Sequence, residues 1–214
     1  MDKLIEKYFS SLYPAGKNKL VRLEAIYSEW NSKLNLVSRK DMDNFSLHHV
    51  LHSLSISRLV NFTPGSLILD AGTGGGLPGI PLAIVFPEVS FTLVDSVRKK
   101  INAVKEISAT LELKNIEARW SRVEELKDEY DFVVSRAVAP FPALIRLSAG
   151  LIKRRSTNTL PNGIIALKGG DLSGELSGCK PCRIINISDF FDEEYFREKK
   201  IVYMPLEALP AASL

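Results

Sequence analysis

Residues 68–86 read ILDAGTGGGLPGIPLAIVF. An apolar run ends in Asp70, a stretch nearly without side chains follows, and a second apolar run closes it. That is the pattern of a strand, a tight loop and a helix. Glycine in such a loop lets the backbone approach a ligand closely and adopt positive φ, so the segment reads as a grip for a nucleotide-like molecule. Gly74, Gly76 and Gly79 fit GxGxxG, the dinucleotide spacing, while Gly72, Gly74 and Gly76 fit DxGxGxG, the spacing of S-adenosylmethionine sites. Spacing leaves both open. Charge favours the second: a dinucleotide brings an anionic pyrophosphate, S-adenosylmethionine a cationic ammonium and sulfonium, and a carboxylate at the strand tip repels the one and attracts the other. LVDS ends the next strand with Asp95, placed to accept hydrogen bonds from ribose hydroxyls, which either ligand requires.

Outward from this loop, short β-branched runs alternate with amphipathic stretches: SLILDAG, SFTLVDS, NIEARW, DFVVSRA, GIIALKGG, RIINIS and KKIVYM, with VRKKINAVKEISATLEL as the clearest helix between them. Alternation of this kind predicts an α/β fold, a mainly parallel seven-stranded Rossmann-like sheet with ligands at the carboxyl ends of its strands. Residues 1 to 60 have a different texture. Leu20, Leu23, Ile26, Tyr27 and Trp30 recur at spacings of three and four, giving an N-terminal helical region packed on a ligand-binding domain of residues 61–214. RRSTNTLPNG and GGDLSGELSGCKPC read as exposed connections.

With 214 residues, 45% of them hydrophobic, the chain can bury one sizeable core. The two cysteines, Cys179 and Cys182, stand together in GCKPC, which excludes a disulfide framework and fits a reducing compartment. The longest apolar run is too short and too interrupted by proline to span a bilayer. A cytoplasmic, monomeric protein without a membrane partner is the expectation. A net charge of +3 permits a nucleic-acid partner without requiring one; the local clusters VRKK (97–100), IKRR (152–155) and REKK (197–200) carry more information.

Arg136 follows DFVVS at the end of a strand, where a cofactor or substrate would lie, although a surface ion pair would use the same residue. The same tip lacks an NPPY-like run, the usual equipment for methylating an exocyclic amine. The three histidines fall together in SLHHVLHS, with His48 and His52 four apart, but no cysteine or acid joins them at ligand spacing, so no metal site is expected. An NAD(P)-dependent oxidoreductase and a non-catalytic RNA- or ribosome-binding module remain alternatives at this level.

Taken together, WNSKLNLVS, LILDAGTGGGLPGIPLAIVFPEVSFTLVDS, SRVEEL, YDFVVSRA and IIALKGG resemble the glucose-inhibited division protein B family, bacterial methyltransferases that modify guanine N7 in 16S ribosomal RNA of the small subunit. The resemblance implies the class I S-adenosylmethionine-dependent methyltransferase fold and S-adenosyl-L-methionine as cofactor. It implies cofactor contacts at Gly72, Leu77, Val123, Glu124 and Arg136, beside Gly74, Gly76, Asp70 and Asp95 from the charge argument. Asn35, Arg39 and His49 match polar positions in the N-terminal motif and Lys168 matches ALKG. Arg136, Asn35 and His49 are then candidates to position the base. Arg39, Lys168 and the clusters Arg98, Lys99, Lys100 and Lys153, Arg154, Arg155 are candidates to contact RNA. Where the family usually reads HxxDS this chain reads HVLHS, with His52 in place of the acid.

Overall fold

The computed structural model describes residues 2–137, 139–179 and 181–209. Its centre is a sheet of seven strands: β1 (Leu67–Ala71), β2 (Ser90–Asp95), β3 (Ile116–Trp120), β4 (Phe132–Arg136), β5 (Gly163–Gly169), β6 (Arg183–Asn186) and β7 (Lys199–Pro205). All seven coincide with the β-branched runs of the sequence. Their order is β3-β2-β1-β4-β5-β7-β6. The first five are parallel, and β7 enters antiparallel between β5 and β6. The chain therefore reverses direction at β1, and the crevice of such a sheet opens there, at the carboxyl ends of β1, β2 and β4.

Alternation along each strand divides the core between two faces. Ile68, Phe91, Leu93, Val134 and Ile165 face one layer, with α5 (Gly79–Val85) and α6 (Arg98–Thr110). Leu69, Val94, Val133 and Ile164 face the other, with α7 (Phe141–Ser148). Strands buried on both sides need near-continuous apolar sequence, which is what LILDA and FVVS supply.

The N-terminal segment forms α1 (Asp2–Tyr8), α2 (Pro14–Lys33), a π-helical turn (Ser46–Leu51) and the short α3 (His52–Leu54) and α4 (Ile56–Leu59). Leu20, Leu23 and Tyr27 of α2 are fully buried and belong to the same cluster as Phe191 and Phe196 from near the C-terminal end of the described chain. Tyr27 also donates a buried hydrogen bond from its hydroxyl to the Gly75 carbonyl, 2.6 Å. A helix from the first quarter of the chain thus holds the glycine loop in place.

Among the described residues no helix is long and apolar enough to cross a membrane.

Candidate active site

The glycine loop follows from the residues that brace it. Gly72, Gly74 and Gly76 have φ of +65°, +60° and +93°, a region costly for residues with a Cβ. Behind them Asp70, with no exposed surface, accepts hydrogen bonds at Oδ2 from Thr73 Oγ1 (2.6 Å) and from the Gly79 backbone N–H (2.8 Å). In front, Asp95 accepts from Gly74 N–H at Oδ2 (2.9 Å) and from Val97 N–H at Oδ1 (2.8 Å). The two carboxylates therefore clamp the loop from opposite sides.

They do not share one role. Asp95 lines the cleft and Asp70 does not. Asp70, expected to meet a cofactor's amino-acid end, lies beneath the loop with Oδ2 taken by the loop's own donors, while its buried Oδ1 has no hydrogen-bond partner in the structure. Burial raises its pKa to about 6 despite those two hydrogen bonds. The fit is close enough that a Cβ on Gly79 would lie 2.7 Å from Asp70 Oδ2 and 2.8 Å from Leu93 Cγ. Gly79→Ala is expected to destabilise the fold by about 1 to 3 kcal/mol, the usual range for overpacking a filled site, read as a lower denaturant midpoint with an unchanged slope. Gly74 has nothing within 4 Å of the equivalent position, so alanine there carries only the backbone strain of its positive φ. A Gly79→Ala protein as stable as wild type would show that α5 can slide away from Asp70.

The cleft measures about 850 Å³, within the range of small-molecule sites. Gly72, Gly74, Leu77, Asp95, Val123, Glu124 and Arg136 all line it. Val123 and Glu124 reach it because the preceding turn is pinned by Glu125, whose Oε2 accepts from Ser121 Oγ (2.9 Å) and Arg122 N–H (3.0 Å). The far wall carries His48, His49, His52, Tyr195 and Lys199. His48 stacks on Tyr195 with ring centroids 3.9 Å apart and shares Nδ1 with Asp41 Oδ1, 2.8 Å. His49 is 8% exposed and neither ring nitrogen has a hydrogen-bond partner in the structure; Nε2 stands 3.6 Å from Asp41 Oδ2, beyond hydrogen-bond reach. Burial, reinforced by the Arg136 charge, lowers its pKa to about 4, and the same causes hold His52 well below the ordinary histidine value. Both are neutral acceptor-donor rings at pH 7. Arg136 donates to the His48 carbonyl at 3.3 Å, and burial lowers its pKa from the ordinary arginine value. The sequence's bland reading of Arg136 as a surface ion pair does not describe a half-buried guanidinium turned into the cleft.

A loop of glycines braced by two acids, at the crevice of a 3-2-1-4-5-7-6 sheet, has counterparts among known proteins. The family model described as GidB, rRNA small subunit methyltransferase G, matches residues 16–180. The chain belongs to this family. A ribosomal RNA small subunit methyltransferase G of Christiangramia forsetii is 50% identical over 205 residues, covering 96% of this chain and 97% of that one. The protein of the same name from Phocaeicola vulgatus is 48% identical over 97% of this chain and all of its own length. Among solved structures, a SAM-dependent methyltransferase from Aquifex aeolicus aligns with TM-score 0.53 at 15% identity over 71% of this chain and 87% of its own. A TehB-like SAM-dependent methyltransferase from Corynebacterium glutamicum aligns with TM-score 0.53 at 12% identity, over 78% and 93%. The fold is the Rossmann-like fold of class I methyltransferases.

The remaining polar and basic residues occupy different parts of the molecule. Lys100 lines the cleft, and Arg98 and Lys99 are exposed beside it. Lys168 lines it too, but its ammonium is held by Glu175 Oε1 and the Ala139 carbonyl, both at 2.7 Å. Asn35 is exposed, does not line the cleft, and accepts from Arg39 Nε at 3.2 Å. Gly76 supports the loop from within. Lys153 pairs with Asp131 at 3.1 Å, at the amino end of β4, so Lys153, Arg154 and Arg155 lie at the opposite end of the sheet from the cleft, roughly 16 Å away at a strand's rise per residue. A charge run has no address in the sequence; its end of the sheet is set by the loop that carries it. Tyr195, on the short turn Glu194–Phe196, was not singled out by sequence, and Lys199, the first residue of β7, was visible only as part of the basic run REKK.

Proposed function

We propose that the chain transfers a methyl group from S-adenosylmethionine to N7 of a guanine in 16S ribosomal RNA of the small subunit. The observation that carries this reading is Asp95, a carboxylate at the tip of β2, inside the cleft, beside a glycine loop whose backbone is open to a ligand. S-adenosylmethionine supplies an electrophilic methyl group on a sulfonium. Asp95 would hold the ribose hydroxyls, Val123 and Glu124 the adenine, and Gly72, Gly74 and Leu77 the backbone cradle. Gly76 and Asp70 keep that cradle in shape.

Guanine N7 carries a lone pair and no proton at neutral pH, so no residue need act as a general base. What the chain must supply is alignment, a proximity contribution of up to about 7 to 11 kcal/mol. Arg136 is placed to donate to the base's O6 edge, and His49 supports the wall against which the base would lie. Arg39, Arg98, Lys99 and Lys100 are the cations best placed for backbone phosphates. Lys168 orders the β5 end through Glu175. Lys153, Arg154 and Arg155, at the far end of the sheet, could meet only RNA that wraps around the molecule.

The test is methyl transfer from labelled cofactor to small subunits or their RNA, followed by borohydride and aniline, which cleave the chain at N7-methylguanosine. Methylation without an aniline-sensitive site makes N7 the wrong atom; no transfer to either substrate removes the ribosomal reading. With His49 held near 4 and His52 well below the ordinary histidine value, neither titrates near neutrality. The single-turnover rate is therefore expected to be nearly flat from about pH 6.5 to 8.5, in wild type and in His49→Gln. A steep limb in that range, abolished by His49→Gln, would show that the histidine moves a proton.

A further inference from the structure

Four large apolar side chains stand exposed among the described residues: Tyr13, Val97, Trp120 and Ile184. Two of them, Val97 at 43% and Trp120 at 57% exposure, are neighbours at the cleft mouth. Trp120 ends β3 directly opposite Asp95 of β2, one residue before Ser121, which lines the cleft. Its indole N–H donates to the Ser96 carbonyl, 3.0 Å, and the Arg98 guanidinium lies over its ring, 5.0 Å from the centroid. Ser96 and Arg98 flank Val97, so the ring is fixed on both sides of that residue rather than free to turn. A tryptophan held flat while more than half exposed gains nothing for the fold from its exposed part.

Cations gather on one flank of the ring. Arg98, Lys99 and Arg122 are exposed and Lys100 is at the cleft edge. On the same strand and the loop that follows, Arg119 engages Glu117 and Asp128, Glu124 stands 3.8 Å from the Arg122 guanidinium, and Glu125 accepts from Ser121 Oγ and Arg122 N–H. An aromatic face with Arg98, Lys99 and Lys100 on its flank is the chemistry of a stacking platform for an unpaired nucleotide, with phosphates taken by the cations.

We propose that Trp120, with Arg98, stacks an unpaired base of the substrate RNA at the cleft mouth, outside the cofactor site. The inference rests on the RNA-methyltransferase reading above and assigns a nucleotide subsite to Trp120, which that reading leaves unused. Because the ring is adjacent to the cleft yet does not line it, this base is a neighbour of the methylated one in space and not the acceptor itself.

The chain has two tryptophans, and Trp30 packs against the core, so Trp30→Phe makes Trp120 the sole reporter. Titrating that protein with a short unstructured oligoribonucleotide is expected to quench Trp120 emission and shield it from acrylamide. Trp120→Ala is expected to raise the KM for ribosomal RNA roughly 5- to 150-fold, the range for one lost base stack. Trp120→Phe should recover most of that loss, and S-adenosylmethionine affinity should stay within about twofold in both. An unchanged KM in Trp120→Ala, or emission that RNA leaves untouched while small-subunit proteins shield it, overturns the subsite in favour of a bare surface or a protein contact. Either result with methyl transfer intact leaves the enzyme reading standing; absence of methyl transfer in the wild type would fail that reading instead.

Discussion

Asp95→Asn is expected to weaken S-adenosylmethionine binding as severely as Asp95→Ala, on the order of 10- to 150-fold in each. The usual expectation is that an isosteric amide does less harm. Here each carboxylate oxygen is taken by a different backbone donor, Gly74 N–H and Val97 N–H. An asparagine has one oxygen to offer. Whichever way its amide turns, one N–H faces another N–H, the loop loses that brace, and the ribose loses a charged acceptor as well. Calorimetric titration of the cofactor into the two folded variants checks this. Wild-type affinity in Asp95→Ala would remove the residue from the site, and near wild-type affinity in Asp95→Asn alone would show that one acceptor suffices.

The second large effect is a pH dependence of stability set by Asp70. Its pKa stands at about 6 against an ordinary 3.8, because burial outweighs the hydrogen bonds from Thr73 and Gly79. A carboxyl whose folded pKa is raised favours folding in its protonated form. Its contribution is fully present below about pH 4 and is lost as pH rises through 6. The displacement corresponds to on the order of 3 kcal/mol. Asp70→Asn, uncharged throughout, keeps an acceptor for Gly79 N–H and has no such dependence. Between pH 4 and 7 its stability should therefore rise by about that amount relative to wild type, measured by urea unfolding at each pH. Parallel curves would mean that the folded carboxyl titrates at its ordinary value.

These two acids also mark how far the sequence could be read. Both were visible at strand tips, because LILD and LVDS are apolar runs ending in a carboxylate. All seven strands were visible for a similar reason: a strand covered on both faces has to be written in β-branched residues. Burial of Asp70 was not visible. Whether an acid at a strand tip faces the ligand or the underside of the loop depends on the path of the next nine residues, and Gly79 closes that path onto Oδ2. Asp95, at a tip of the same kind, lines the cleft, so the local pattern does not separate the two cases. Tyr195 and Lys199 were out of reach for another reason. They arrive at the cleft through the antiparallel insertion of β7, a contact of long sequence separation that no local periodicity records.

The place of β7 has a consequence for how the molecule can be made. β6 precedes β7 in the chain, yet it pairs only with β7. A nascent chain that has emerged through β6 holds a strand with no partner in the sheet, and β5 keeps an open edge. Only when residues 199–205 appear can β7 slot between them and bring Lys199 to the cleft beside Tyr195. Synthesis from the N-terminus lets domains fold as they emerge, but here the binding wall is among the last parts to form. A chain stopped at residue 198 is expected to transfer no methyl group to ribosomal RNA, detectable as no incorporation of label from the cofactor. An unfinished copy would thus be kept from engaging its substrate by strand order alone.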